Sequence, residues 1–366
     1  MKINLFGDVW AIKNKITLAE TLVSGDLTLF NLETPICSNT SKNKIIKSGA
    51  WLNGSFAGLQ NIRRLFPNAV YTSLANNHIL DYGISGATKT IKACRDLNIY
   101  CSGIGSNNDI QPMIINTKGN NICILSISEP QFGASQKDKC GVIGLNSNIL
   151  KTICEFHEKN YFIIVSIHGG NEMIPWPYPK WQELYRNMIN MGATVVYGHH
   201  SHVPQGFEQI GDGLVLYGMG NFIVPLSKIK GQKDMDWSLF VNLDVQNNKL
   251  LKYEIRPIKN FKETIDVCID KYYEEYMEMA NNILKDENLL NAVWQSYVFK
   301  MYDTIYKHWL KTTEKEKDFY QLWYHMFNCP SHAEAIKTYF GIKCSEIRDV
   351  RNELSNSIVS KYFKTL

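Results

Sequence analysis

The sequence predicts a layered α/β protein, and three observations carry that expectation. Short apolar runs of strand character recur along the first two thirds of the 366 residues. Helix-like segments separate several of these runs, so strand and helix alternate. The runs also stop, one after another, at residues that are small, polar or able to bind a metal. In layered α/β folds the loops after the carboxyl ends of strands gather on one edge, where ligands bind.

Taken in order, KINLFGD stops at Asp8, DLTLFNLE at Asn31 and Glu33, and VYTSLANNH at Asn76, Asn77 and His78. NICILSISE reaches Glu129, YFIIVSIHGGNE reaches His168, TVVYGHHSH reaches His199, His200 and His202, and LVLYGMGNF reaches Asn221. Helices are expected over Ile84 to Asn98 and over Pro179 to Gly192, the second with Pro near its start and Gly at its end. SLFVNLDVQNNKLLKYEIRPI reads as a β-hairpin turning near Gln246-Asn247-Asn248.

Composition bounds the rest. With 45% hydrophobic residues the chain can bury a core, which excludes a disordered protein. A net charge of +4, from 39 basic and 35 acidic residues without blocks of one sign, makes no electrostatic case for nucleic acid. No run approaches the roughly 18 apolar residues of a membrane span. The opening MKINLFGDVW enters a strand directly and does not read as a signal peptide. Nine scattered cysteines without a C-x-x-C pair argue against a disulfide framework or a cysteine zinc site. A reduced, cytoplasmic location is therefore expected.

The strand-end residues form an inventory. His168 alone reads as a loop hydrogen-bonder, and Asp8, Glu33 and Asn77 are each ordinary turn residues. An H-x-H pair is harder to dismiss: in an extended segment His200 and His202 point to the same side and can share a cation. Carboxylate, amide oxygen and imidazole together suit Zn, Mn or Fe, whereas Ca or Mg sites draw mainly on oxygens.

Six blocks then resemble a known family: Gly7-Asp8, Asn31 to Glu33, Leu74 to Gly83, His168 to Glu172, Gly198 to Gln205 and Tyr217 to Phe222. In this order they are similar to the CapA family of capsule and poly-γ-glutamate synthesis, within the calcineurin-like metallophosphatase superfamily, over about residues 1–226. The resemblance implies a four-layer α/β/β/α sandwich holding two divalent metal ions, Mn, Zn or Fe. On the matched motifs Asp8, Glu33, Asn77, His168, His200 and His202 would be metal ligands, and His78 would protonate the leaving group of a phosphoester. Asp81 would orient His78, or else cap the following helix. Two departures stand out. Trp10 occupies the histidine position of the first motif, and Gly169 replaces an aromatic residue. His199 is a possible compensating ligand, and Asn76, His199, Glu172, Asn221 and Trp176 complete the set as substrate contacts. For Trp176, in the proline-rich IPWPYPK segment, an ordinary packed loop is the competing reading.

The expected organisation is a metallophosphatase-like domain over 1–260 and a helical, aromatic-rich extension over 261–366. Aromatic residues between Asn291 and Phe327 recur at helical spacing and read as core, with a substrate-selecting cap or a homo-oligomer surface as alternatives. His308, His325 and His332 lack partners at ligand spacing and read as structural. The expected activity is metal-dependent hydrolysis of a phosphorylated glycan or cell-envelope precursor. The alternative is a non-hydrolytic capsule or poly-γ-glutamate protein that binds an anionic polymer or aids amide chemistry.

Overall fold

Side chains alternate along a strand, so a strand with apolar residues on both faces must be covered on both. Strand β1 (Lys2–Val9) is such a strand: Leu5 joins one apolar cluster and Phe6 the other. The same division holds in β2 (Leu27–Leu32), where Leu29 faces inward and Phe30 outward. These observations come from a computed structural model that describes residues 1–12, 16–37, 44–47, 49–106, 110–117, 119–134, 140–261, 264–311 and 319–363.

The outward cluster is closed by α1 (Phe56–Arg64) and α2 (Gly83–Asp96), through Leu59, Ile62, Ala87 and Cys94. Between these helices runs β3 (Ala69–Ser73), parallel to β2. The inward face packs on a second sheet built from β4 (Asn120–Ser128), β5 (Phe162–His168), β6 (Val195–His199) and β7 (Gly213–Leu216), all parallel. Helices α3 (Ser147–Glu158) and α4 (Pro179–Asn190) follow β4 and β5, and α4 buries Trp181, Tyr185 and Met188. Two sheets face to face with helices outside each give the layered α/β sandwich the sequence implied.

The first sheet is completed by β8 (Asn221–Ile223), β9 (Trp237–Gln246) and β10 (Lys249–Phe261). Asn247 and Asn248 turn the β9–β10 hairpin, both at positive φ. One expectation changes here. The run LVLYGMGNF is two strands, β7 in the second sheet and β8 in the first. The chain crosses between sheets over Tyr217–Gly220, where Gly220 sits at φ +76.

Beyond a short strand, Thr264–Val267, that extends the first sheet, the chain is helical: α5 (Lys271–Lys285), α6 (Glu287–Met301), α7 (Phe319–Asn328), α8 (Pro330–Lys343) and α9 (Glu353–Tyr362). Tyr273, Tyr276, Trp294, Tyr297 and Tyr306 enter the inward core. Docking onto the sandwich is polar as well. Tyr276 donates to the Pro204 carbonyl at 2.8 Å, and Gln182 donates to the Leu284 carbonyl at 2.9 Å. Among the described residues no helix is long and apolar enough to cross a membrane.

Candidate metal centre

Register sets the level of each strand-end residue. In the first sheet Asp8 lies beside Asn31 of β2 and Asn221 of β8. In the second, His168 lies beside Ser128 of β4 and His199 of β6. The two rows meet across the sandwich at Asp8. Its carboxylate accepts from the His200 backbone N–H at 3.1 Å and from Asn31 Nδ2 at 2.8 Å, with His199 Nδ1 at 3.1 Å. This approach needs Gly7: a β-carbon there would lie 1.9 Å from the Gly220 carbonyl oxygen.

The H-x-H pair converges, but not by strand alternation. β6 stops at His199, and His200 and His202 take left-handed backbone at φ +85 and +58. Such conformations cost about 1–3 kcal/mol each. They are held by the Asp8 contact, by Ser201 Oγ donating to the Val203 carbonyl at 2.7 Å, and by Met173 N–H donating to the Ser201 carbonyl at 2.8 Å. Strain of this kind is kept where surrounding bonds over-determine it, and here it aims two imidazoles at one space.

Two donor groups result, sharing His202: Asp8, Glu33 and His202, and Glu172, His200 and His202, each with ligand atoms within 4.8 Å of one another. On the side of His168, its Nε2 lies 3.0 Å from Asn77 Oδ1 and its Nδ1 4.0 Å from Asp8. Glu33 Oε1 and His200 Nδ1 are buried without a hydrogen-bond partner. A buried polar atom left unpaired costs about 1–3 kcal/mol, and the lone pair of Glu33 Oε1 is one that a cation takes up, as is that of His200 Nε2, 3.5 Å from Glu172. The donor set therefore fits divalent metal.

Electrostatics agree with that fit. Burial, reinforced by neighbouring His200, holds His168 well below its usual value, and burial brings His200 down to about 4. Both are neutral imidazoles at neutral pH, the form that binds metal. Burial works against ionised Asp8, yet the His199 hydrogen bond and electrostatic interaction with the neighbouring His199, His168 and His202 rings outweigh it and keep Asp8 well below the usual carboxylate range. Burial would lower His202 too, but Glu33, Glu172 and Asp8 raise it to about 9. The ring sits where positive charge is favoured. Glu33 is raised, by burial first.

Several proposed substrate contacts prove to be supports. Asn221 Nδ2 donates to the Met235 carbonyl at 3.1 Å, which turns Oδ1 toward His202 Nδ1 at 3.1 Å and leaves His202 Nε2 facing Glu33. Asn76 is fully buried, accepting from the His78 and Ile79 N–H groups and donating to Asn31 and the Leu32 carbonyl, so it shapes the turn that presents Asn77. His199 is buried on β6 beside Asp8 and does not line the cavity that His78 and His200 face. Trp176 is 0% exposed and belongs to the inward core, its segment held by Gln205 Nε2 donating to the Ile174 and Trp176 carbonyls at 3.0 and 3.1 Å.

Asp81 does not cap α2, whose N-cap is Tyr82. It is fully buried, 2.9 Å from His78 Nδ1, and accepts from Leu52 N–H at 2.7 Å and from Lys47. Lys47 Nζ also lies 3.2 Å from His78 Nδ1. Sequence reasoning missed Lys47, since a lysine in a segment without periodicity carries no signal. Trp10 is accounted for: its indole N–H donates to Glu33 Oε2 at 2.5 Å, so a donor stands where the family motif has a ligand.

Above these residues opens a cavity of about 490 Å³ with Asn77, His78, Glu172 and His200 in its floor. Its walls include Trp10 and Phe132, and, from the C-terminal helices, Tyr297, Trp309, His325 and His332. His325 and His332, read from the sequence as structural, line this cavity, because packing brings them there from a segment that reads as core. Burial lowers His325 to about 4 and His332 to about 3. In the unfolded chain both titrate near 6.5, so only the unfolded state gains protons as pH falls from 6.5 toward 4. Stability is then expected to fall by about 1.4 kcal/mol per pH unit for each histidine. Urea midpoints across that window check this, and His325→Gln is expected to flatten the slope.

Fold and site together define a two-sheet α/β protein with a carboxylate–imidazole centre at its strand ends. The family model for bacterial capsule synthesis protein PGA_cap matches residues 13–225, more than half of the chain. The chain belongs to that family. It is similar to the capsule biosynthesis protein CapA of Bacillus anthracis, 26% identical over 232 residues, covering 60% of this chain and 55% of that protein. The PGA biosynthesis protein CapA of Bacillus subtilis (strain 168) is 25% identical over 232 residues, covering 60% and 58%. The chain thus spans little more than half the length of these relatives. A probable polyglutamine synthesis accessory protein of Mycobacterium tuberculosis (strain ATCC 25618 / H37Rv) is 24% identical over 267 residues, 64% and 66%. Among solved structures, a hypothetical protein from Thermus thermophilus gives a TM-score of 0.39 at 12% identity, over 71% of this chain and all of that one. Haemophilus influenzae NAD nucleotidase (NadN) gives 0.38 at 10%, over 76% and 55%.

Proposed function

We propose that this chain is a metal-dependent phosphoesterase-like hydrolase acting on a phosphorylated glycan or capsule precursor. The observation that supports the reading is the convergence of Asp8, Glu33, Asn77, His168, His200 and His202 beneath one cavity, with Glu33 Oε1 and His200 Nδ1 unpaired. Asp8, Glu33 and His202 would hold one cation. Glu172 and His200, with His168 and Asn77 close by, offer donors for another. A divalent cation bound there neutralises phosphoryl charge and lowers the pKa of a water molecule.

The chain's own residues supply the rest. Asp81 would fix the His78 ring by accepting from Nδ1–H, with Lys47 holding Asp81 in place, leaving Nε2 to donate a proton to the leaving oxygen. His78 and Asn77 face the cavity, so a phosphoryl group above the donor atoms lies within their reach. Burial keeps His168 and His200 neutral, so neither needs to lose a proton first.

The test is phosphate release from mono- and diester substrates by purified protein with Mn or Zn added, paired with metal content. Turnover that survives loss of His200 would sink the reading. Trp10→His adds an imidazole next to Glu33, and metal affinity is expected to tighten about tenfold, as measured by competition with a chelator. The second reading, a non-hydrolytic protein that handles an anionic polymer in capsule or polyglutamate synthesis, draws support from Trp10 and from the names of the relatives. Full metal loading without turnover, together with binding of oligo-γ-glutamate, would favour it.

A further inference from the structure

We propose that the C-terminal helices make the metal centre a selective pocket for a compact phosphoester bearing a planar aromatic or heteroaromatic group, and not for an internal stretch of polymer. This rests on the phosphoesterase reading and narrows its substrate class. The cavity is divided by chemistry. Its lining combines the polar groups of Asn77, His78, Glu172 and His200 with an aromatic wall. On that wall Phe132 stacks on His325 with centroids 4.6 Å apart and planes 18° from parallel. His325 meets His332 edge-on at 4.8 Å, and His332 meets Trp309 at 5.8 Å. These flat faces line the same cavity as the polar groups, with Lys47 Nζ 5.9 Å from the Phe132 ring centroid, so a molecule with one anionic end and one planar end can meet both.

The hydrogen-bonding capacity of the wall is partly assigned. Tyr306 Oη lies 2.7 Å from His332 Nδ1, which leaves Nε2 of that ring for a heteroatom. Tyr306 and the cavity-lining Ile305 lie on a π-helical turn, Tyr302–Tyr306, after α6. Such turns re-aim side chains and occur often at functional sites. A polyanion fits poorly. Among the described lining residues Lys47 is the one lysine or arginine, it is committed to Asp81, and Glu172 adds negative charge.

The wall is tied to the floor by Glu129, the one strand-end residue for which the metal centre has no use. Its buried carboxylate accepts from Ser331 N–H at 2.7 Å at the start of α8 and from Gly170 N–H at 3.1 Å in the loop after His168. Gly169 belongs to this device. A β-carbon there would lie 2.5 Å from the Glu129 Cβ and 3.1 Å from the Trp181 ring. A side chain at this point is thus excluded by Glu129 and Trp181, and the aromatic groups of the wall come from the Phe132 loop and the helices.

The test is calorimetric binding of methylphosphonate, benzylphosphonate and tetra-γ-glutamate to the Mn-loaded protein. Benzylphosphonate is expected to bind at least about tenfold tighter than methylphosphonate. That ratio is expected to collapse to within about threefold in Phe132→Ala, whose loop position spares the helices, and in His332→Ala if its melting shows it folded. Equal binding of the two phosphonates, an undiminished ratio in Phe132→Ala, or tetra-γ-glutamate binding tightest would each overturn the pocket while leaving phosphoesterase chemistry to its own assay. If no phosphonate binds at all, the phosphoesterase reading fails, and the pocket with it.

Discussion

Asp8→Asn is expected to weaken metal binding by more than about a hundredfold and to remove metal-dependent phosphate release with it. The side chain is nearly isosteric, so volume is not the cause. Asp8 is the point where the two sheets meet, and its charge is favoured by His199, His168 and His202 around it. An amide removes that charge and turns an N–H₂ toward groups that already donate, Asn31 Nδ2 and the His200 backbone N–H. One contact is lost and a second carboxylate, Glu33, is left to neutralise a cation alone. Metal content after dialysis and a thermal melt without metal separate the two effects. A variant that still binds metal like the parent would remove Asp8 from the centre.

The largest stability effect is expected from Glu129→Ala. It strips acceptors from Gly170 N–H and Ser331 N–H, two buried donors worth about 1–3 kcal/mol each, and leaves a void between β4 and α8. A total loss of roughly 3–5 kcal/mol follows, measured by urea unfolding. Glu129→Gln keeps the shape and one acceptor, so it is expected to retain more than half of that stability. Burial raises the Glu129 carboxyl above its usual value, which makes the neutral amide a fair substitute. If alanine costs under about 1 kcal/mol, Glu129 does not join the helices to the site loop.

Much of the fold was legible because its signals are local. Apolar runs ending in His168 and His199 are strands ending there, the run to Asp8 is a strand that ends one residue on, and the asparagine pair at 247 and 248 turns a hairpin. The candidate ligands were legible for the same reason, since each stands at a strand end. The path of the H-x-H pair was not, because left-handed backbone at His200 and His202 is stabilised by Asp8 and Met173 from distant segments. For Trp176 it is the packed-loop reading that agrees with its burial, since prolines mark a stiff loop without saying which way it folds.

The sequence by itself determined the α/β layering and which polar residues stand at strand ends, since alternation and turn chemistry act over a few residues. Tertiary structure alone decided that Asn76 and Asn221 are supports, that Lys47 joins Asp81 beside His78, and that His325 and His332 reach the cavity. Those outcomes depend on contacts between segments far apart in the chain, which arise only when the sheets pack face to face and the last helices close over them.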